Sequence, residues 1–337
     1  MDGVQFLAQV KQQAPASVRI MLTGNADQQT AMEAVNEGNI FRFLTKPCPP
    51  EVLAKALAAG IEQYRLVKAE KELLEQTLSG SIQVLTDILS LVNPTAFGRA
   101  ARVRRLVLQL ATALKIENAW QTEIAAMLSQ VGCITVPEET LVKVYQGVAL
   151  KPEELLMLQA QAQIGHDLIV RIPRLEPVAE IIAYQEKRFN GSGLPHDNKR
   201  GQAIPLGARV LKLALDFDKL LEAKINASEA YQEIQRRGDW YDPEVVAALK
   251  EALASEVGDE IRLVKVDELT PNMILAEDII SVSHGLPLVT AGQEVTRSLS
   301  LRLKNFVERG AITEPVKVRV PLKKAEEAGV QAHALPH

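Results

Sequence analysis

Two His-Asp doublets, His166-Asp167 and His196-Asp197, hold side-chain types that could grip a divalent cation and activate a bound water. The sequence around each argues against that chemistry. His166 lies on a predicted helix whose apolar stripe is Ile164, Leu168 and Ile172, a spacing that turns His166 away from the core. His196-Asp197 opens a polar loop, Asp197-Asn198-Lys199-Arg200, directly after a Gly-Leu-Pro turn. The chain has five histidines, and His333 and His337 fall in its tail, so a multi-histidine metal site is not expected. Cys48 and Cys133 are its two cysteines, which excludes a disulfide framework and a cysteine metal cluster; Cys133 reads as a small core residue. Gly191-Ser192-Gly193 could offer backbone N–H groups to a phosphate, but Asn190-Gly191 more simply starts a tight turn. Arg99, Arg102, Arg104 and Arg105 make a basic helix surface, read as a solvated face.

A longer pattern surrounds these residues. Positions 185–195 read Gln185-Glu186-Lys187-Arg188-Phe189-Asn190-Gly191-Ser192-Gly193-Leu194-Pro195, followed by Ile204-Pro205 and then Ala208-Arg209-Val210-Leu211. Trp240-Tyr241-Asp242-Pro243 comes later and begins a further helix. In that order these motifs resemble the signature of the HD-GYP phosphohydrolases, His-His-Glu-Lys/Arg-Trp-Asp-Gly-x-Gly-Tyr-Pro with its downstream Ile-Pro-x-x-Ala-Arg and Tyr/Phe-Asp-Pro segments. The resemblance implies an all-helical domain that cleaves cyclic di-GMP at two or three metal ions held by histidines and aspartates. It also assigns each ligand position. The first histidine falls on Arg99, the His-Asp doublet on Ser129 and Gln130, the next histidine on Gln161, the tandem histidines on Gln185 and Glu186, and the last aspartate on Leu215. Glu186 alone of these offers a carboxylate. The expectation is therefore a catalytically inactive relative without catalytic residues, metal or cofactor. Lys187, Arg188, Asn190, Gly191, Ser192, Gly193, Leu194, Pro195 and Arg209 remain as a candidate ligand or partner loop.

The elements that must position these residues are legible from period and punctuation. Val18–Leu22 and Phe41–Leu44 are predicted strands, with a helix over Asp27–Glu37 between them that Gly38 stops. Ile20-Met21-Leu22-Thr23-Gly24 and Phe43-Leu44-Thr45-Lys46-Pro47 resemble the second half of a two-component receiver domain. In that family Thr23 and Lys46 would contact a phosphoryl group and Phe43 would act as a rotamer switch. The phosphoacceptor aspartate would fall upstream of Met1, so receiver phosphorylation is not expected of the chain as given. A partial receiver sheet would also leave an uncovered edge and too little core.

From Pro49 to Val92 the pattern predicts one long helix or two, with Gly80 as a candidate break. Tyr64, Val67, Leu74, Leu78, Leu85, Ile88 and Val92 recur at three-four spacing, a seam that fits a parallel homodimer or, in the plainer reading, a helix lying against its own domain. Residues 94–255 are helical in pattern. Val103, Leu106, Val107, Leu110 and Leu114 form one stripe, Ile124, Met127, Leu128 and Val131 another, and Pro152 sits in a first turn. After Ile261 the texture becomes short strands at Ile261–Val266, Met273–Ile280, Leu286–Val289 and Val316–Val320, with a helix near Thr296–Val307.

The fold class is thus mainly α, made of a partial α/β receiver fragment, a long connecting helix, an all-α HD-like bundle and a small C-terminal α+β module. The expected divisions are 1–50, 51–92, 93–257, 258–321 and a disordered tail at 322–337. A formal charge of −4 gives no general attraction to nucleic acid or to a membrane surface. No apolar run is long enough to span a bilayer, no signal peptide is visible, and the scarce cysteines fit a cytoplasmic protein. The function expected is a non-catalytic signal-transduction protein that contacts other signalling proteins, as a homodimer through residues 64–92. The alternatives are a receptor that holds a nucleotide such as cyclic di-GMP without cutting it, and a weak metal-dependent phosphodiesterase.

Overall fold

Apolar residues at helical spacing make most of this chain helical, and among the described residues the strands fall near its two ends. The structure, a computed structural model, describes residues 3–14, 16–24, 40–92, 94, 99–145, 147–223, 225–255, 260–271 and 273–320. The predicted helix at Asp27–Glu37 and the tail at 322–337 lie outside them. The chain divides into two units, Met1–Gly80 and Ser81–His337.

In the first unit, α1 (Gly3–Gln13) precedes β1 (Ile20–Thr23) and β2 (Arg42–Thr45). The two strands pair in parallel, Ile20 with Arg42 through Thr23 with Thr45, one or two residues later than the sequence suggested. The Lys46 N–H donates to the Thr23 carbonyl at 2.7 Å, which brings the two receiver-like strand ends together. Phe43 is half-buried and Lys46 exposed. Next comes α2, a single 43-residue helix over Pro50–Val92 that runs through Gly80. A helical glycine costs about 1 kcal/mol against alanine; the helix-forming residues on both sides outweigh it. Tyr64, Val67, Leu85 and Ile88 are exposed on this helix.

In the second unit the end of α2 buries Ile82, Thr86 and Ser90, and Leu89 packs against Cys133, Val136 and Leu141. The bundle follows as α3 (Arg99–Ala113), α4 (Ala119–Leu128), a 3-10 turn at Val131–Thr135, α5 (Glu138–Tyr145), α6 (Pro152–Ile169), α7 (Glu176–Ala183), α8 (Leu206–Glu222), α9 (Ala227–Arg236) and α10 (Pro243–Ser255). Val103, Val107 and Leu110 of α3 are fully buried, as are Ile124 of α4, Val178 and Ile182 of α7, and Val210, Leu211 and Ala214 of α8. Burial of such side chains contributes roughly 1.5–3 kcal/mol each for the larger ones.

The stripe assigned to α6 is corrected. Leu168 and Ile172 are exposed, and the buried face is Ala162, Gly165 and Ile169. Small residues let α6 approach its neighbours closely. A Cβ on Gly165 would lie 3.0 Å from Ile182 Cγ2, and one on Gly132 would overlap the Gln161 carbonyl oxygen. Close backbone approach decides which face goes inward here, not the size of the apolar side chains.

The C-terminal module comprises β3 (Glu260–Val264), β4 (Ile274–Leu275), β5 (Ile279–Ile280), β6 (Pro287–Val289), α11 (Arg297–Glu308) and β7 (Val316–Val320). The run predicted as one strand over Met273–Ile280 is two short strands in different sheets, since β3-β7-β4 and β5-β6 are separate. Thr296 caps α11 by accepting the Leu299 N–H, and Leu299 and Leu303 fill the module's core with Leu275, Val289 and Val318.

Candidate functional site

The residues standing at the ligand positions come from five places in the bundle. α3 supplies Arg99, the residues after α4 supply Ser129 and Gln130, α6 supplies Gln161, the turn after α7 supplies Gln185 and Glu186, and α8 supplies Leu215. Four of them converge. Gln185 Nε2 donates to the Ser129 carbonyl at 3.2 Å, and Gln130 Nε2 donates to Ser129 Oγ at 3.3 Å. Cys133 Sγ lies 2.9 Å from Gln161 Oε1 and 3.8 Å from Gln130 Oε1. Ser129, Gln130, Cys133 and Gln185 are buried. The Gln185 Oε1 atom has no hydrogen-bond partner among the described residues, a costly state for a buried acceptor.

Arg99 stands beside this cluster. Its Nη2 donates to the Leu215 carbonyl at 3.0 Å and its Nε to Asp218 Oδ2 at 3.1 Å. Burial pushes the Cys133 thiol up to about 11, and the Arg99 charge pulls the other way. Cys133 is therefore a neutral thiol at ordinary pH, as expected of a core cysteine. Leu215 is buried, and Glu186 reaches Lys212 at 3.0 Å instead of joining the amides.

These residues do not fit the metal set that the family resemblance implies. Among the described residues no group of three or more His, Cys, Asp or Glu side chains could hold an ion. Neutral amides and a hydroxyl stand where imidazoles and carboxylates would donate, and a guanidinium places positive charge alongside them. His166 pairs with Asp167 at 2.9 Å on a half-exposed helix face, and His196 is exposed in its loop.

The signature turn is held by its own side chains. Asn190 Oδ1 accepts from the Ser192 N–H at 2.9 Å and from Ser192 Oγ at 2.7 Å. Gly191 and Gly193 have φ of +94° and +89°, and a Cβ on Gly193 would overlap the Glu186 carbonyl oxygen. Lys187 is buried below the turn. Its Nζ donates to the carbonyls of Pro195 at 2.7 Å and Asp197 at 3.0 Å, and it pairs with Asp197 Oδ1. The Tyr184 hydroxyl, foremost, and then Lys187 hold the Asp197 carboxyl down to about 2. Arg209 is committed as well, donating to the Ile204 carbonyl at 3.0 Å and pairing with Asp242. Of the candidate loop residues, Lys187 and Arg209 are thus internal braces. Arg188 stands apart, with its guanidinium 3.4 Å from the centre of the Trp240 ring; Leu194 and Pro195 are half-buried.

The basic face of α3 is not simply solvated. Arg102 donates to Asp218 Oδ1 at 2.6 Å and also pairs with Glu222, while Arg104 pairs with Glu123. Burial lowers the tendency of Arg102 to hold its proton, and Asp218 more than restores it. Sequence reasoning missed Asp218, Lys212, Asp216 and Trp240. Lys212 and Asp216 could have been found as an i,i+4 pair of opposite charge; Asp218 closes the Leu213–Asp218 stretch, but its arginine partners lie 116 and 119 residues away.

Comparison with known proteins gives this arrangement its context. Residues 83–245 match the family model described as HD domain. Over 276 residues the chain is 28% identical to the cyclic di-GMP phosphodiesterase response regulator RpfG of Xanthomonas campestris, covering 74% of this chain and 71% of that protein. Over 96 residues it is 33% identical to the 3′3′-cGAMP-specific phosphodiesterase 3 of Vibrio cholerae, covering 28% of this chain and 20% of that protein. A solved cyclic GMP-AMP-specific phosphodiesterase of V. cholerae overlaps 52% of this chain and 49% of its own, at 22% identity and a TM-score of 0.41. Residues 83–245 are therefore similar to an HD domain, and the chain is similar over most of its length to a response regulator named as a cyclic di-GMP phosphodiesterase. This corrects the functional expectation. A non-catalytic signalling protein, or a receptor that binds without cutting, was inferred by subtracting ligands one position at a time. RpfG, aligned over 276 residues, and the V. cholerae protein, aligned over 96, are both named as phosphodiesterases.

Proposed function

We propose that this chain is an HD-domain phosphodiesterase of cyclic-dinucleotide signalling. The observation that carries the reading is the alignment with RpfG across most of both chains, which includes the bundle that positions Arg99, Gln130, Gln161 and Gln185. The amide cluster does not fit an imidazole-held pair of cations, so no step is assigned to a bound metal. What the chain's own residues hold there is a buried amide cluster beside a guanidinium fixed by the Leu215 carbonyl and Asp218. Loss of even outer-shell support typically lowers metal-dependent activity by roughly 10–100-fold. Turnover at least that far below an imidazole-liganded enzyme is expected. The test is incubation of the full chain with cyclic di-GMP and with 3′3′-cGAMP, in Mn²⁺ and in Fe²⁺, with linear dinucleotide measured by chromatography. Slow appearance of linear product is expected; no product above buffer for either nucleotide rejects the reading.

The amino-terminal unit supports a regulatory role, because β1 and β2 bring Thr23 and Lys46 to neighbouring strand ends, as in receiver domains. Work in the cytoplasm with other signalling proteins follows from that role. A homodimer through residues 64–92 belongs to the same reading. Its seam leaves Tyr64, Val67, Leu85 and Ile88 uncovered at heptad spacing, which a second, parallel copy would bury. Leu85→Glu with Ile88→Glu is expected to halve the mass seen by light scattering. An unchanged dimer mass would move the interface elsewhere.

A further inference from the structure

A second site lies on a neighbouring face of α8 from the one that meets Arg99. Leu215, Asp218 and Glu222 form the face of α8 that meets Arg99 and Arg102, whereas Lys212, Asp216 and Lys219 follow a different helical row. That row lines an open cavity of about 790 Å³, together with Glu186 and Arg188 of the signature turn and Glu233, Arg236, Arg237 and Trp240.

The charges in this cavity do not cancel. Five cationic side chains face three carboxylates, leaving two positive charges in excess. The carboxylates are already committed. Lys212 Nζ lies 3.0 Å from Glu186 and 3.1 Å from Asp216, and Asp216 also accepts the Tyr241 hydroxyl at 2.7 Å. Glu233 is held by Arg236 and Arg237, which keep its carboxyl down to about 2. Arg188 and Lys219 have no carboxylate partner among the described residues. Arg188 is nonetheless fixed in place. Its guanidinium stacks on the Trp240 ring, and its nearest hydrogen-bond contact is Ser192 Oγ at 3.5 Å. A stacked guanidinium keeps its in-plane N–H fork free for a planar pair of oxygens.

We propose that this cavity binds a phosphate monoester, with Arg188 and Lys219 as the recognition residues. The stoichiometry of charge selects the ligand. A monoester carries about −1.5 to −2 on a single phosphate at pH 7, which matches the excess of two at one group; a carboxylate or a single diester carries only about one charge, and a cyclic dinucleotide spreads its two over separate phosphates. The site is independent of the hydrolytic reading, since it uses neither the amide cluster nor Arg99.

The test is calorimetric titration of the full chain with 5′-GMP, ribose 5-phosphate and guanosine. Both phosphates are expected to bind and guanosine is not. Lys219 is exposed on α8, so Lys219→Gln leaves the fold intact and is expected to weaken both phosphates about 10-fold, one charge contact being worth about 1.4 kcal/mol. Arg188→Gln is expected to weaken them further, and Arg188→Lys to restore part of the loss. Binding is also expected to tighten from pH 5 to pH 7.5, as the second phosphate proton leaves near pKa 6. Failure of both phosphates to bind overturns the proposal, as does guanosine binding as tightly as 5′-GMP. So does Lys219→Gln binding as the unsubstituted chain does.

Discussion

Replacing Asp218 with alanine is expected to destabilise the second unit by about 3–5 kcal/mol, the loss typical when one partner of a buried ion pair is removed. Asp218 is almost completely buried and accepts from two arginines, Arg99 at 3.1 Å and Arg102 at 2.6 Å. Neither guanidinium can shed its charge. Arg102 keeps Glu222 at the rim, but Arg99 keeps only the Leu215 carbonyl. For a unit of this size the midpoint of thermal unfolding should fall by about 10 °C. Asp218→Asn, which retains the shape and one acceptor, should cost clearly less. Thermal denaturation followed by circular dichroism decides the matter, and a loss below about 1 kcal/mol for the alanine variant would mean that the pairing is not structural.

Lys187→Met should come next in size. Methionine fills much of the same volume but strips the buried amine from the carbonyls of Pro195 and Asp197. Both carbonyls are only partly buried, so each loses about 1 kcal/mol, the low end of the range for an unsatisfied acceptor, and a loss of about 2 kcal/mol is expected. The effect should be local as well as global. Amide hydrogen exchange should accelerate over residues 187–197, where the turn closes on the Ser192 carbonyl through the Arg188 N–H at 2.8 Å. Exchange unchanged in that segment would show that the turn is held by Asn190 and the glycines alone.

Much of the architecture was legible in the residues. Stripes such as Val103, Val107 and Leu110 are buried as their spacing required, and the helix expected near Thr296–Val307 is present as α11. The errors have identifiable causes. On α6 the large apolar residues Leu168 and Ile172 suggested one face, but Ala162 and Gly165 permit a closer approach and are the ones buried. The basic cluster on α3 was read as solvated because its acidic partner, Asp218, is 116 residues from Arg102, beyond the reach of any local pattern. Lys187 could not be recognised as an internal brace, since a lysine is rarely so buried and its partners are backbone carbonyls that no side chain announces. Four of the residues assigned to ligand positions meet in one cluster. Their joint consequence for activity was not legible, because deleting donors from a list says nothing about what the surrounding protein still does.

The sharing of one carboxylate by two arginines also fixes the order in which an engineer could install ion-binding groups. Arg99→His would leave Asp218 satisfied by Arg102, so it is a permissible opening move. Leu215→Asp made first would set a new acid against the arginine that already grips the Leu215 carbonyl, locking that guanidinium further into the cavity. Histidines at 161 and 185 are useful only after Arg99 has been vacated, so the route back is a sequence of dependent steps and not a set of interchangeable ones.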